Sequence, residues 1–175
     1  MKPTLPFGLF KIKGRVEYRV YDGQGHLVSK KKVTNVVVDT MLNNVINAFI
    51  ATSSNPCSGF QYIALGRGDT PETINDTELD DEFEVASFGG TNYATRIDGS
   101  VSVDYTSNTY TVTGEITNES GSTLEVNESG LFNSDTVADT GASAEMGSRA
   151  TVDSAIQLQN NEKLEVTWQW TVSAS

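Results

Sequence analysis

The segment "KLEVTWQWTV", residues 163–172, alternates polar and apolar side chains without interruption. Leu164, Val166, Trp168, Trp170 and Val172 occupy every second position. Successive side chains of a β-strand point to opposite faces of a sheet, so this pattern predicts a strand with one face in a hydrophobic core. It is the most regular strand pattern in the chain.

Similar short patterns recur along the sequence, separated by turn signals such as "DGQG" (residues 22–25) and "TSN" (residues 106–108). The composition favours Thr, Ser, Asn, Val and Gly, which suits strands and turns. Further strands are predicted at residues 12–20, 27–38, 60–66, 100–105, 109–117, 122–132 and 154–159. We therefore predict a mainly β protein, an antiparallel β-sandwich that is jelly-roll-like or a partly closed barrel.

One segment has helical spacing instead. Its apolar side chains recur at intervals of three and four residues, which predicts a helix with one buried face. They are Met41, Leu42, Val45, Ile46, Phe49 and Ile50. Asp39 or Thr40 can cap its amino terminus. We expect this single helix to pack on the sheet.

The length of 175 residues favours one domain. Pro3 and Pro6 disfavour a strand at the start, so we expect residues 1–9 to form an extended arm and residues 10–175 a single β-sandwich domain. The chain starts without the apolar run of a signal peptide, and no stretch approaches the ~18 apolar residues of a membrane span. Cys57 is the only cysteine, so no intrachain disulfide can form. These features predict a soluble protein made in a cytoplasm.

Charge is unevenly distributed along the chain. The formal net charge is −11, which disfavours nucleic acid as a partner. Residues 1–33 nevertheless hold eight basic and two acidic side chains, a balance of +6, whereas the remaining 142 residues hold four basic and 21 acidic ones, a balance of −17. This asymmetry predicts a docking surface for an acidic partner, either a neighbouring copy or a scaffold. Its candidate residues are Lys11, Lys13, Arg15, Arg19, Lys30, Lys31 and Lys32. The alternative is a Lys-rich pair of strands that merely discourages edge pairing.

No residue pattern points to an enzyme, a cofactor or a metal. His26 is the sole histidine and Cys57 the sole cysteine. The sequence therefore offers no zinc-binding cluster and no nucleophile relay that depends on histidine. Phosphate-binding loops, nucleotide fingerprints and nucleophile elbows are absent from the sequence. Only an acidic run could serve a glycosidase-like reaction or a calcium ion, and it lacks the spacing of a calcium loop. That run comprises Asp76, Glu78, Asp80, Asp81, Glu82 and Glu84.

Two binding alternatives remain open. Arg67, Gly68 and Asp69 form an Arg-Gly-Asp triplet, although Gly66 and Gly68 already have a backbone role in releasing the chain from a strand. Tyr93, Tyr105 and Tyr110 could line a carbohydrate- or receptor-binding groove, or could simply pack across neighbouring strands.

Four segments of the chain form a recognisable succession: "VTNVVVDTMLNNVINAFI", "YIALGRGDTPETINDTELDDEF", "VNESGLFNS" and "GSRATVDSAIQLQNNEKLEVTWQWTVS". Together they resemble a pattern in small structural proteins of tailed bacterial and archaeal viruses. In this pattern an Asn-containing step leads into a helix, and a strand ends in Leu-Gly-x-Gly-x-Thr before an acidic segment. A Glu-x-Gly-Leu-Phe strand and an aromatic alternating strand follow. The matching positions are Asn35, Leu65, Gly66, Gly68, Thr70, Thr77, Leu79, Glu128, Gly130, Leu131, Phe132, Trp168 and Trp170.

The resemblance implies a non-enzymatic virion protein. The short chain favours a capsid decoration or turret subunit, and the alternative is a tail, neck or collar-fibre component with a receptor- or carbohydrate-binding role. The expected partners are further copies of the chain, as a trimer or pentamer, and other virion proteins, without nucleic acid or membrane. The expected location is the virion, after synthesis in the host cytoplasm.

Overall fold

The structure is a computed structural model that describes residues 10–40, 59–89, 96–135 and 144–174. Nine strands form one sheet in which every neighbouring pair is antiparallel. The strands are β1 (Phe10–Tyr21), β2 (Leu27–Val37), β3 (Tyr62–Gly66), β4 (Ile97–Asp98), β5 (Ser100–Asp104), β6 (Thr109–Thr117), β7 (Leu124–Phe132), β8 (Met146–Leu158) and β9 (Lys163–Ala174). Their order in the sheet is β4-β3-β7-β8-β2-β1-β9-β6-β5.

The sheet nearly closes into a barrel because β4 and β5 follow each other around a bend at Gly99. β4 pairs with β3 at one end of the sheet, and β5 pairs with β6 at the other. A Cβ at Gly99 would lie 2.3 Å from Cγ1 of Val112 and 2.7 Å from the carbonyl oxygen of Gln61, so only glycine fits at this corner. The mainly β, antiparallel fold is confirmed, and the partly closed barrel is the form it takes.

The predicted helix from Met41 onward, the arm of residues 1–9 and Cys57 all lie outside the described residues. Within the described ranges a short 3-10 helix covers Val85–Phe88, and Asp39 and Thr40 are helical at the start of the predicted helix. No helix in this part of the chain has the length and apolar character needed to cross a bilayer.

Trp168 lies at the centre of the main core. Its neighbours in register are Val16 on β1 and Val112 on β6, and all three side chains are buried. Trp170 stacks on Tyr110 with 5.6 Å between ring centroids, and the Tyr110 hydroxyl donates to the Phe60 carbonyl at 2.9 Å. Burying each such large apolar side chain stabilises the folded state by about 1.5–3 kcal/mol relative to leaving it exposed. The alternation in β9 therefore predicts the inward face correctly up to Trp170, whereas Val172 at the end of the barrel is 41% exposed.

A second, smaller core lies on the outside of the barrel. The segment after β3, residues 67–84, is named here the acidic loop; it crosses the outer faces of β3, β7 and β8. Leu79 packs there against Ala64 of β3, Phe132 of β7 and Met146 of β8. β8 begins at Met146, whereas the sequence predicted its start at residue 154. The cover by the acidic loop explains why the sequence pattern missed the first part of the strand. Its first five residues are buried on both faces, so they do not alternate.

Candidate functional site

Glu128 on β7 anchors the acidic loop to the barrel. Its side chain is fully buried, with Oε1 accepting from the backbone N–H groups of Gly68 at 3.0 Å and Asp81 at 2.9 Å. Oε2 accepts from the N–H of Asp80 at 3.2 Å. A buried carboxylate is costly unless its oxygens are hydrogen-bonded. These three bonds satisfy Glu128 and also hold both ends of the loop against β7.

Arg149 on β8 completes this buried network. Nε donates to Oε2 of Glu128 at 3.0 Å, and Nη1 donates to Oδ2 of Asp76 at 2.9 Å. Nη2 donates to Oδ2 of Asp80 at 2.8 Å and to the Thr70 carbonyl at 3.2 Å. One guanidinium thus joins two strands to three points along the loop. The planar fork of arginine suits such multiple recognition of carboxylates.

The two aspartates of the network are held in their charged form. The hydrogen bond from Thr70 and the adjacent Arg149 lower the pKa of Asp80. Burial by itself would raise the pKa of Asp76, but hydrogen bonds from Thr73 and Arg149 outweigh burial and lower it. For Arg149, burial opposes the charge, and the surrounding carboxylates still raise its pKa above the ordinary value. Asp76, Asp80 and Arg149 are therefore ionised at neutral pH.

Gly66 and Gly68 are required by the close approach of Glu128. A Cβ on either glycine would lie 2.5 Å from Oε1 of Glu128. At Gly68 it would also lie 2.5 Å from Cβ of Asp80. These distances are shorter than any normal contact, so the glycines make room for a side chain; neither has a left-handed backbone that would require glycine. The sequence predicted glycine here for its backbone freedom, whereas the structure shows that these positions need the absence of a side chain.

The other residues of the viral pattern lie around the same loop or in the core. A Cβ on Gly130 would lie 3.0 Å from Leu79, and Phe132 carries the guanidinium of Arg96 at 3.4 Å from its ring centroid. Leu131, Trp168 and Trp170 belong to the main core. Asn35 lies on β2 across from Gly14, where a Cβ would lie in hard contact with the Asn35 amide. Its amide atoms have no hydrogen-bond partner among the described residues.

The adhesion and calcium alternatives both need side chains that the structure places in internal contacts. Arg67 lies back on the loop, 3.4 Å from Oδ2 of Asp81 and 4.9 Å from the ring centroid of Phe83. Asp76 and Asp80 are bound by Arg149, whose guanidinium lies among the carboxylates that a cation would need. In the described ranges no group of three metal-ligating side chains is found.

The candidate docking residues lie mainly on the outer face of β1 and β2. Five of them form what is named here the basic strip: Lys13, Arg15, Arg19, Lys30 and Lys32. Lys31 points to the opposite face, where Nζ donates to the carbonyl and hydroxyl oxygens of Ser154. The side chain of Lys11 lies outside the described part of the chain.

Glu17 lies in the middle of the basic strip and neutralises part of it. Lys30 and Lys32 approach its two oxygens at 3.0 and 2.8 Å. The hydrogen bond from Lys32, with those from Lys30 and Arg19, lowers the pKa of Glu17 to about 2. Arg19 also pairs with Glu165 at 3.0 Å. Five cations thus face two carboxylates, and a positive excess remains.

The free positive charge is concentrated at one end of the strip. Lys13 and Arg15 are exposed and have no ion-pair partner in the described residues. In contrast, every basic residue after position 33 is paired with a carboxylate: Arg67 with Asp81, Arg96 with Glu82, Arg149 with Asp76, Asp80 and Glu128, and Lys163 with Glu115. The charge asymmetry of the sequence is therefore also an asymmetry of the surface.

Sequence reasoning missed Arg149 and Arg96. The signal in the sequence was that each is a lone basic residue in a strongly acidic part of the chain. Such a position favours an ion pair within the protein. Among the candidate tyrosines, Tyr110 packs inside the barrel on Trp170, Tyr105 is 86% exposed, and Tyr93 lies outside the described residues.

Comparison with known protein families, with curated proteins and with solved structures finds no match to this chain.

Proposed function

We propose that this chain is a non-enzymatic structural protein of a tailed virus, displayed on the particle surface as a capsid decoration or turret subunit. The observation that carries the proposal is that residues from different motifs of the pattern are in contact: Gly66 and Gly68 approach Glu128, and Leu79 packs in one cluster with Phe132. A chance match of short motifs would not require its residues to touch. These contacts support the proposal that the chain shares an architecture with the proteins that the pattern resembles.

The surface suits attachment to a lattice. The acidic loop of the barrel is held at several points by Glu128 and Arg149. The basic strip provides a surface for an acidic neighbour on the particle, while the acidic remainder of the protein keeps particles soluble and apart. The protein acts in this proposal by contacts with further copies of itself and with other virion proteins.

The second candidate is a tail, neck or collar-fibre component that binds a receptor or carbohydrate. Tyr105 supports it: this ring is 86% exposed where β5 leads into β6. Val101 and Val103, on β5 just before Tyr105, are 45% and 47% exposed. An exposed aromatic beside apolar side chains is a common feature of sugar- and protein-binding surfaces.

Particle incorporation tests the proposal. Purified virus should contain the protein, and cryo-electron microscopy should locate its density over the shell; density at the neck or tail would favour the second candidate, and absence from the particle would contradict both.

The double variant Lys13→Glu/Arg15→Glu should reduce incorporation most strongly at moderate salt. Neither side chain has an ion-pair partner in the described fold, so the change removes no such contact. Lys31→Gln is the matched control, because Lys31 lies on the opposite face. Unchanged incorporation of the double variant at low salt would contradict docking through the strip.

A further inference from the structure

The acidic loop carries unpaired negative charge on its outer surface. Asp69, Glu78 and Glu84 are exposed and have no ion-pair partner among the described residues. Arg149 and Arg96 bind three of the remaining carboxylates of the loop, those of Asp76, Asp80 and Glu82. Glu72 accepts from the Thr151 hydroxyl, and Asp81 pairs with Arg67. The loop is thus a firmly supported surface with three free carboxylates, whose charge is opposite to that of the free cations of the basic strip.

The two surfaces lie on neighbouring sides of the barrel. The loop covers β3, β7 and β8, and the next strands in the sheet are β2 and β1, which carry the strip. The join between the two regions is direct: Val36 of β2 pairs with Arg149 of β8, and the N–H of Asp39 donates to the carbonyl of Ile74 at 3.1 Å. In the described ranges no ion pair joins the strip to the loop within one chain. Both surfaces face outward, so each is left for another molecule.

We propose that the occupant of the basic strip is the acidic loop of a second copy of this chain. The proposal rests on the proposed function for the role of the strip as a docking surface, and it names the partner. The argument is charge complementarity: Lys13 and Arg15 supply unpaired cations, and Asp69, Glu78 and Glu84 supply unpaired anions. Complementary charges steer association and fix its register, whereas two strips or two loops would repel each other.

The resulting contact is head-to-tail. Such a heterologous contact builds either a closed ring or an open filament, depending on the rotation between successive subunits. The two surfaces are on adjacent rather than opposite sides of the barrel, so each subunit is turned relative to the previous one. This arrangement favours closure into a ring, which is the form that a decoration or turret on a symmetric shell requires.

Sedimentation velocity on the purified full chain tests this contact without any particle. At about 0.1 M salt, where the screening length is about 10 Å, the protein should sediment as an oligomer; near 1 M, where it is about 3 Å, the oligomer should dissociate. Two variants reverse one surface each. Lys13→Glu/Arg15→Glu makes the strip acidic, and Asp69→Lys/Glu78→Lys/Glu84→Lys makes the loop basic. Each variant alone should sediment as the 18.9 kDa monomer.

An equimolar mixture of the two variants is the decisive sample. In the mixture the acidic strip of one variant faces the basic loop of the other, and the unaltered strip and loop also match, so association should return. Recovery on mixing also shows that both variants are folded. The proposal is overturned if the unaltered chain is a monomer at low salt, if either reversal leaves the oligomer intact, or if mixing restores nothing although circular dichroism shows both variants folded. Salt-sensitive incorporation of a monomeric chain into particles would leave the proposed function standing and remove only this inference.

Discussion

Arg149 and Glu128 lie on neighbouring strands with 2.8 Å between Nη2 and Oε2, and neither side chain is more than 2% exposed. Such a buried pair adds little net stability compared with apolar residues of the same size, but it is costly to break. Here the pair also holds the acidic loop by Gly68, Asp76 and Asp80. Its main consequence is that the loop has one defined position on the barrel.

Replacing Arg149 should destabilise the fold strongly. Arg149→Leu leaves the buried Glu128 and the nearby Asp76 and Asp80 without their cation, and we expect a loss of about 3–5 kcal/mol in the free energy of unfolding. Urea denaturation followed by circular dichroism measures it. Arg15→Leu, the same substitution at an exposed position, should change stability by less than about 0.5 kcal/mol. Similar values for the two variants would argue against the network.

Gly66 at the end of β3 and Gly68 in the acidic loop should tolerate no side chain. Gly66→Ala and Gly68→Ala each place a Cβ 2.5 Å from Oε1 of Glu128, and we expect each to cost about 1–3 kcal/mol. Thermal unfolding measures the change. Gly59→Ala is the matched control, because a Cβ there meets nothing within 4 Å; it should be neutral or slightly stabilising. An unaffected Gly66→Ala variant would mean that Glu128 can move aside.

Glu17 should make stability depend on pH in the acid range. Its folded-state pKa of about 2 lies below the ordinary value of 4.5, because Lys32, Lys30 and Arg19 favour the charged form. A lowered pKa stabilises the folded state above pH 4.5, and this contribution is lost as the pH falls toward 2. The partners are partly exposed, so we expect about 1 kcal/mol.

Urea denaturation of the unaltered chain and of Glu17→Gln, at several pH values between 6 and about 2, isolates this contribution. The difference in stability between the two proteins should shrink as the pH falls. A difference that stays constant across this range would contradict the assignment.

Asn118 should be difficult to replace. Its buried amide donates to the carbonyls of Ser122 and Leu158, both at 2.7 Å, and Oδ1 accepts from the N–H of Ser120 at 3.0 Å. Asn118→Leu removes all three bonds and leaves backbone groups unsatisfied, so we expect a loss of about 2–4 kcal/mol in unfolding free energy. Asn75→Leu, at an exposed position of the acidic loop, is the control and should have a small effect. Comparable losses would argue that the Asn118 bonds contribute little.

The sequence predicted the inward-facing residues correctly where the outer face of the sheet is exposed to solvent, and failed where that outer face is covered. The inward faces of β1, β6 and β9 alternate with polar residues on a solvated outer face, so Val16, Val112 and Trp168 could be assigned to the core correctly. The first part of β8 could not be read in this way. Its outer face is covered by the acidic loop, and Met146–Ala150 are therefore buried on both sides without alternation. Similarly, the sequence could not show that Lys31 lies apart from the basic strip, because its side chain points to the other face of β2.

The sequence by itself determined the β class, most of the strand positions, the concentration of positive charge near the amino terminus and the need for glycine at positions 66 and 68. These follow from local properties: side-chain periodicity, turn chemistry and the count of charges. Only the tertiary structure decided why those glycines are needed, that Arg149 neutralises Glu128, Asp76 and Asp80 together, and that the basic strip and the acidic loop lie side by side on the outside of the barrel. The physical reason is that these contacts join residues far apart in the chain, and no local pattern records which distant strand will lie opposite another.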